Sequence, residues 1–146
     1  MPHTYTVEFR LAGPSLDLRA VNDALGLTAA YVRHAGSHVG RKKYRESVWA
    51  YNGYEDVRTA EWPDLERGLT FVLDRLWPRQ DLLRNFKETS VQYWWCGHFQ
   101  RSFDGGPRLS ATLLSRLGEF GADLCIDNYF SADENLQSDT PVAAVE

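Results

Sequence analysis

The segment of residues 4–11, "TYTVEFRL", constrains the fold of this chain more than any other, because polar and apolar residues alternate in it without a break. Successive side chains of a β-strand point to opposite faces of the sheet, so the segment is predicted to be a strand with one buried side and one solvent-facing side. Such a strand needs a covering layer on its apolar side, and amphipathic helices are one way to supply it.

Three amphipathic helices are predicted elsewhere in the chain. The first begins after Asp17 and the last after Ser110, and both are residue types that cap helix N-termini. The middle helix spans residues 62–77, where leucines recur on one face, and Pro78 ends it. Each helix has one apolar stripe and can therefore pack on the apolar side of a sheet.

Further strands are predicted between these helices, at residues 28–32, 47–53, 89–101 and 123–130. The segments "GPSLDLRAV" and "GPRLSATLL" are similar, and each follows one predicted strand and precedes another. We therefore predict an α+β fold: a two-layer sandwich with a mainly antiparallel sheet, about three helices largely on one face, and two strand–helix–strand units.

The acidic residues are distributed unevenly along the 146 residues of the chain. The net charge is −4, and residues 131–146 account for it, because they carry four acids and no base. We predict that residues 1–130 form a single α+β domain and that residues 131–146 form a disordered acidic tail, since they show no hydrophobic period. A domain without net charge disfavours nucleic acid as a partner, because nucleic-acid binding needs a basic surface.

The sequence also disfavours membrane and secreted proteins. Its apolar runs are far shorter than the roughly 18 residues of a membrane-spanning helix. The N-terminal residues lack a basic region followed by an apolar one, so no signal peptide is predicted. The two cysteines, Cys96 and Cys125, lie in predicted strands and not in a disulfide framework. A cytoplasmic location is therefore predicted.

Residues 33–45, "RHAGSHVGRKKYR", form a basic segment without an acid. It can be a solvated hairpin, a partner-binding loop or a site for phosphate or RNA. It lacks the Gly-Lys-Ser or Gly-Lys-Thr of a phosphate-binding loop, so the solvated hairpin is favoured. If the segment binds a partner protein, the contact residues are predicted to be Arg41, Lys42, Lys43 and Arg45.

Two adjacent tryptophans, Trp94 and Trp95, must point to opposite faces of their predicted strand. Trp95 shares its face with apolar neighbours and is predicted to lie in the helix-covered core. Trp94 shares its face with Cys96, His98 and two glutamines, and this mixed composition predicts an open surface. Trp94 and His98 are therefore predicted to contact a partner, since exposed aromatic residues are typical interface anchors.

No metal, cofactor or catalytic residue is predicted. Cys96 and His98 share one strand face, and His34 and His38 are four positions apart. Zinc requires three or four ligands, and neither pair belongs to a recognised zinc motif. Cys96 and His98 also lack the companion base and orienting group that a thiol nucleophile requires.

Four segments of the chain resemble domain of unknown function 4279, a family of small bacterial proteins. They are "NDALGL" (22–27), "RHAGSHVGRKKYRESVW" (33–49), "LERGLTFVLDRL" (65–76) and "LSATLLSRLGEFGADLCIDNY" (109–129). The resemblance spans about residues 4–130, and its last segment is the most specific. It implies an α+β fold and no established activity. Some small proteins of this kind are encoded beside toxin genes, so the resemblance also implies an immunity role.

Together these observations predict a non-catalytic protein-binding module. In its finer form, the hypothesis is an immunity protein that neutralises a cognate bacterial toxin. The alternative is an unrecognised enzyme or small-ligand-binding protein that uses the tryptophan-lined face of the sheet. The expected partner is a protein, without a cofactor and without a membrane, and the sequence leaves the oligomeric state open.

Overall fold

The alternating segment at the N-terminus forms β1 (His3–Gly13), the central strand of a five-stranded sheet. The structure is a computed structural model, and it describes residues 3–56 and 58–131. The other strands are β2 (Tyr31–Arg33), β3 (His38–Val39), β4 (Lys42–Lys43), β5 (Ser47–Tyr51), β6 (Val91–Gln100) and β7 (Asp123–Phe130). The helices are α1 (Leu18–Leu25), α2 (Leu65–Leu76), α3 (Gln80–Arg84) and α4 (Ala111–Phe120), with a 3₁₀ turn at Trp77–Arg79. Apart from Ser131, the predicted acidic tail lies outside the described residues.

The sheet has the strand order β2-β5-β1-β6-β7, and the pairs are antiparallel except β6 with β7, which is parallel. Helix α4 connects β6 to β7, and a parallel pair needs a long connection of this kind. Strands β3 and β4 form a separate hairpin. The predicted α+β sandwich with a mainly antiparallel sheet is confirmed.

The helix caps follow the prediction. The Asp17 side chain accepts a hydrogen bond from the Ala20 N–H, and the Ser110 hydroxyl accepts one from the Leu113 N–H. Helix α2 begins at Leu65, later than predicted, because the Asp64 side chain caps its N-terminus. No helix in the described ranges is long and apolar enough to cross a membrane.

One hydrophobic core lies between the helices and the sheet. The alternate residues Tyr5, Val7, Phe9 and Leu11 of β1 all point into it, which confirms the face predicted from the alternation. Each of the longer helices contributes leucines or valines to the same core. The core side chains from the helices are Leu18, Val21 and Leu25 of α1, Leu65, Leu69, Val72, Leu73 and Leu76 of α2, and Leu113 and Leu117 of α4.

Candidate functional site

The register between β1 and β6 decides which tryptophan faces the helices. Phe9 stands opposite Trp94, and Val7 stands opposite Cys96. Directly paired residues of antiparallel strands point to the same side of the sheet, so Trp94 joins the apolar side of β1. Trp94 is 0% exposed and packs edge-to-face against Phe9 with ring centroids 4.9 Å apart. The prediction that Trp95 faces the helices and Trp94 the open surface is therefore wrong. Trp94 lies in the core, and Trp95 lies on the other face of the sheet.

The polar neighbours of Trp94 indicated an open surface, but hydrogen bonds inside the protein satisfy these side chains. The Gln92 amide donates to the Leu83 carbonyl at 2.8 Å. His98 is only 4% exposed, and its Nδ1 lies 2.8 Å from Asn128 Oδ1 while its Nε2 lies 2.9 Å from His3 Nδ1. Buried polar groups normally have such partners. His98 is therefore not a surface contact residue, contrary to the prediction.

The opposite face of the sheet, which we call the helix-free face because none of the described helices covers it, combines aromatic and charged side chains. It includes Thr6, Glu8 and Arg10 of β1, Tyr93, Trp95 and Phe99 of β6, and Cys125, Asp127 and Tyr129 of β7. Most of these residues are half-buried, and Cys125 is exposed. The face is therefore partly open to solvent and chemically mixed.

Trp95 is held at the centre of this face by two charged residues. The Arg10 guanidinium carbon lies 4.3 Å from the centroid of the Trp95 ring, within range of a cation–π interaction. The Trp95 indole N–H donates to Asp127 Oδ2 at 2.7 Å. Arg10 is itself paired with Glu8, at 2.8 Å. Three neighbouring strands thus fix the ring and the guanidinium in one arrangement.

A second aromatic pair lies beside this group. The rings of Phe99 and Tyr129 are stacked with centroids 4.9 Å apart. Gly97 provides the space between them and Thr6, because a Cβ at Gly97 would lie 2.6 Å from the Thr6 hydroxyl and 2.9 Å from the Phe99 ring. A side chain at this position would displace the Thr6 side chain or the Phe99 ring, so their present positions require the glycine.

The basic segment forms the predicted exposed hairpin. His38 stands opposite Lys43 and Val39 opposite Lys42, and Gly40 supplies the positive φ of 61° at the turn between the strands. The predicted contact residues are all exposed: Arg41, Lys42, Lys43 and Arg45. Their role in binding a partner stays a prediction.

The base of the hairpin lies beside the helix-free face. Arg33 stands opposite Val48, whose neighbour Trp49 points into the core, so Arg33 points to the helix-free side. The Arg33 guanidinium carbon lies 3.8 Å from the Tyr44 ring centroid, and the Lys42 ammonium lies 5.0 Å from the same centroid. The cations of the hairpin thus lie at the β2 edge of the sheet, and β5 and β1 separate that edge from the aromatic strand β6.

The geometry does not favour the thiol chemistry considered for Cys96. Burial, together with the smaller effects of the nearby Cys125 and Glu8, raises the pKa of Cys96 from 9.0 to about 12. Cys96 is therefore a protonated thiol near neutral pH, and the thiolate is the reactive form. Among residues 3–56 and 58–131, no group of three or more His, Cys, Asp and Glu side chains could hold a metal ion.

The group of Trp95, Arg10 and Asp127 was not predicted from the sequence. A signal for Arg10 was present, because the alternation placed it on the polar side of β1 together with Glu8. The position of Asp127 beside Trp95 depends on the parallel register of β6 and β7, which places Gly97 opposite Asp127. That register joins residues far apart in sequence and leaves no local pattern.

Comparison with known protein families gave one finding. A family model described as Domain of unknown function (DUF4279) matches residues 3–131, which is most of the chain. The match confirms the resemblance seen in the four sequence segments. Comparisons with curated proteins and with solved structures gave no match.

Proposed function

We propose that this chain, which belongs to the DUF4279 family, is a non-catalytic protein-binding module that binds its partner with the helix-free face. The observation that supports this most is the fixed arrangement of Trp95 between Arg10 and Asp127 on the sheet face opposite the described helices. Tryptophan, tyrosine and arginine are the residue types that contribute most to binding energy at protein interfaces.

The fixed arrangement matters because ordering side chains costs free energy when proteins associate. Each flexible side chain that an interface immobilises costs about 0.5–1.5 kcal/mol. Arg10 is already held by the Trp95 ring and by Glu8 in the free protein. Trp95 is only 9% exposed, so its role is to support the surface, and the half-buried rings of Tyr93 and Phe99 provide contact area.

The basic hairpin adds a cationic surface at the β2 edge of the same sheet. Charged groups at the rim of an interface mainly increase the association rate and orient the partner. Four exposed cations in a five-residue stretch attract an acidic patch on the partner: Arg41, Lys42, Lys43 and Arg45. The proposed binding surface therefore has an aromatic centre and a cationic margin.

In its finer form, the proposal is a bacterial cytoplasmic immunity protein that occludes a cognate toxin. The family resemblance supports this form, because some small proteins of this kind are encoded beside toxin genes. A partly open, aromatic surface is compatible with occlusion of another protein. The alternative of an unrecognised enzyme or small-ligand-binding protein stays a prediction, and its site would lie away from Trp94, because core side chains fill that face.

Site-specific photo-crosslinking in extracts of the native organism tests this proposal. Benzoylphenylalanine replaces Tyr93 on the helix-free face in one variant and the exposed Leu82 of α3 in a control. We expect one protein to be captured by the Tyr93 variant alone, and we expect co-expression to restore growth when that protein is toxic. Equal capture from both positions, or none from either, would contradict the binding face. A captured protein that is not a toxin would contradict the immunity role only.

A further inference from the structure

A cleft opens on the helix side of the sheet, where the N-termini of α2 and α4 meet. The Glu66 carboxylate in the first turn of α2 accepts hydrogen bonds from the Ser110 N–H at 2.6 Å and from the Ser110 hydroxyl at 2.9 Å. The cleft beside this junction has a volume of about 750 Å³. Pockets for small molecules typically have volumes of about 300–1,000 Å³, so the cleft has room for such a ligand.

Tyr5 of β1 forms part of the cleft wall, although it is only 3% exposed. Its ring is stacked on His98 with centroids 4.7 Å apart, and its backbone pairs with Trp62, so the position of the ring is fixed. The Tyr5 hydroxyl forms no hydrogen bond with residues 3–56 or 58–131. A buried tyrosine hydroxyl normally has a hydrogen-bond partner. The missing partner therefore has to come from the cleft.

The Tyr5 hydroxyl lies close to the carboxylate of Asp64. Burial, together with the smaller effect of the Asp64 carboxylate, raises the pKa of Tyr5 above its ordinary value of 10.0. A charge has this effect on a neighbouring group only at short range, and Asp64 lines the same cleft. The hydroxyl is therefore protonated at neutral pH and lies on the side of the cleft that α2 borders.

The two acids of the cleft have partners within the protein, whereas its two arginines do not. Asp64 accepts a hydrogen bond from the Glu66 N–H at 3.0 Å, and both Glu66 carboxylate oxygens accept from Ser110. Arg67 and Arg108 are exposed, and neither forms a hydrogen bond or an ion pair within the part of the chain that the structure describes. A guanidinium group binds phosphate and carboxylate groups through two parallel hydrogen bonds. The free arginines therefore favour an anionic ligand.

We propose that this cleft binds a small organic anion that carries hydroxyl groups. Arg67 and Arg108 bind its phosphate or carboxylate group, and the Tyr5 hydroxyl binds one of its hydroxyl groups. The rings of Pro63 and Pro107 line the same cleft and contact the carbon skeleton of the ligand. The site lies on the helix side of the sheet, so it is independent of the protein-binding role proposed for the helix-free face.

A nuclear magnetic resonance titration of the isotope-labelled full chain tests this proposal with three probes. Ribose 5-phosphate, ribonate and ribose share a five-carbon polyol and differ in carrying a phosphate, a carboxylate or no anionic group. We expect saturable shifts of the backbone amide signals of residues 64–67 and 106–110 with ribose 5-phosphate or ribonate, and none with ribose. The anion with the lower Kd identifies the group that the arginines bind.

Three variants of the cleft and one control test which residues bind the anion. Arg67→Gln and Arg108→Gln are each expected to increase its Kd about tenfold, because each removes a charged hydrogen-bond donor. Tyr5→Phe keeps the ring and removes the hydroxyl, so an increase of about fivefold is expected. Arg19→Gln is the control, since Arg19 is an exposed arginine of α1 that does not line the cleft, and its Kd should equal that of the wild type.

The stability of Tyr5→Phe separates a ligand contact from a structural role. Because the Tyr5 hydroxyl has no partner in the described chain, Tyr5→Phe should not lower the free energy of unfolding of the ligand-free protein. A destabilised Tyr5→Phe would show that the hydroxyl is satisfied within the protein and would overturn the proposal. The same holds for an absence of saturable shifts with both anions, for an unchanged Kd in any of the three cleft variants, and for an equal increase in Arg19→Gln.

Discussion

Trp94 and Trp95 are adjacent in β6, and both are largely removed from water, yet different neighbours bury them. Phe9 of β1 and Phe120 of α4 surround Trp94, with ring centroids 4.9 and 5.7 Å away. Trp95 is covered by Arg10 and hydrogen-bonded to Asp127. Core packing thus covers Trp94 on the helix-covered face, whereas polar side chains cover Trp95 on the partly open helix-free face. Burial alone therefore does not show which tryptophan supports folding and which supports binding.

The largest expected difference between the faces is in stability. Trp94→Ala leaves a cavity among core residues and should lower the free energy of unfolding by about 3–5 kcal/mol. Trp95→Ala removes a ring from a face that water can refill, and a loss of about 1–2 kcal/mol is expected. Urea denaturation of both variants measures the two losses. Equal losses, or a larger loss for Trp95→Ala, would contradict the assignment of the faces.

The two faces each carry a cysteine, Cys96 on the helix-covered face and Cys125 on the helix-free face, and the burial of Cys96 makes stability depend on pH. Burial raises the pKa of Cys96 to about 12 in the folded protein, compared with an ordinary value of 9.0. The folded state therefore keeps its proton in a range where the unfolded state loses it. The contribution of the protonated Cys96 thiol to the free energy of unfolding is complete below about pH 9. It decreases by about 1.4 kcal/mol per pH unit between pH 9 and 12.

Denaturation at pH 7, 9 and 10 measures this decrease, and Cys96→Ala should reduce it. Burial also raises the pKa of Tyr51 to about 12 from an ordinary value of 10.0, so the lower part of the pH range isolates the thiol. In the native protein, Cys125 should react with a thiol reagent, because it is exposed, and Cys96 should react only after unfolding. Rapid labelling of both thiols at neutral pH would show that the core around Cys96 is open.

Local sequence patterns were sufficient for most of the fold. The alternation of β1 gave its buried face, Asp17 and Ser110 gave the starts of two helices, and the last predicted strand coincides with β7 (Asp123–Phe130). Each of these features depends on residues close together in sequence.

The faces of β6 could not be predicted in the same way, because both carry aromatic residues. Which face the helices cover depends on its register with β1, a long-range contact. The polar character of Gln92 and His98 suggested solvent, although Leu83, Asn128 and His3 provide partners for them. The proposed binding group was missed for the same reason, since Arg10, Trp95 and Asp127 come from three strands.

The central claim is that the helix-free face is the binding surface. The most direct test is to measure the affinity of a captured partner for two matched variants. Tyr93→Ala changes a half-buried ring on that face, and Leu82→Ala changes an exposed side chain on α3. Calorimetry should show that Tyr93→Ala weakens binding by about 2 kcal/mol, close to a thirtyfold increase in Kd, and that Leu82→Ala leaves Kd unchanged. Equal Kd values for wild type and Tyr93→Ala, or a larger effect of Leu82→Ala, would contradict the claim.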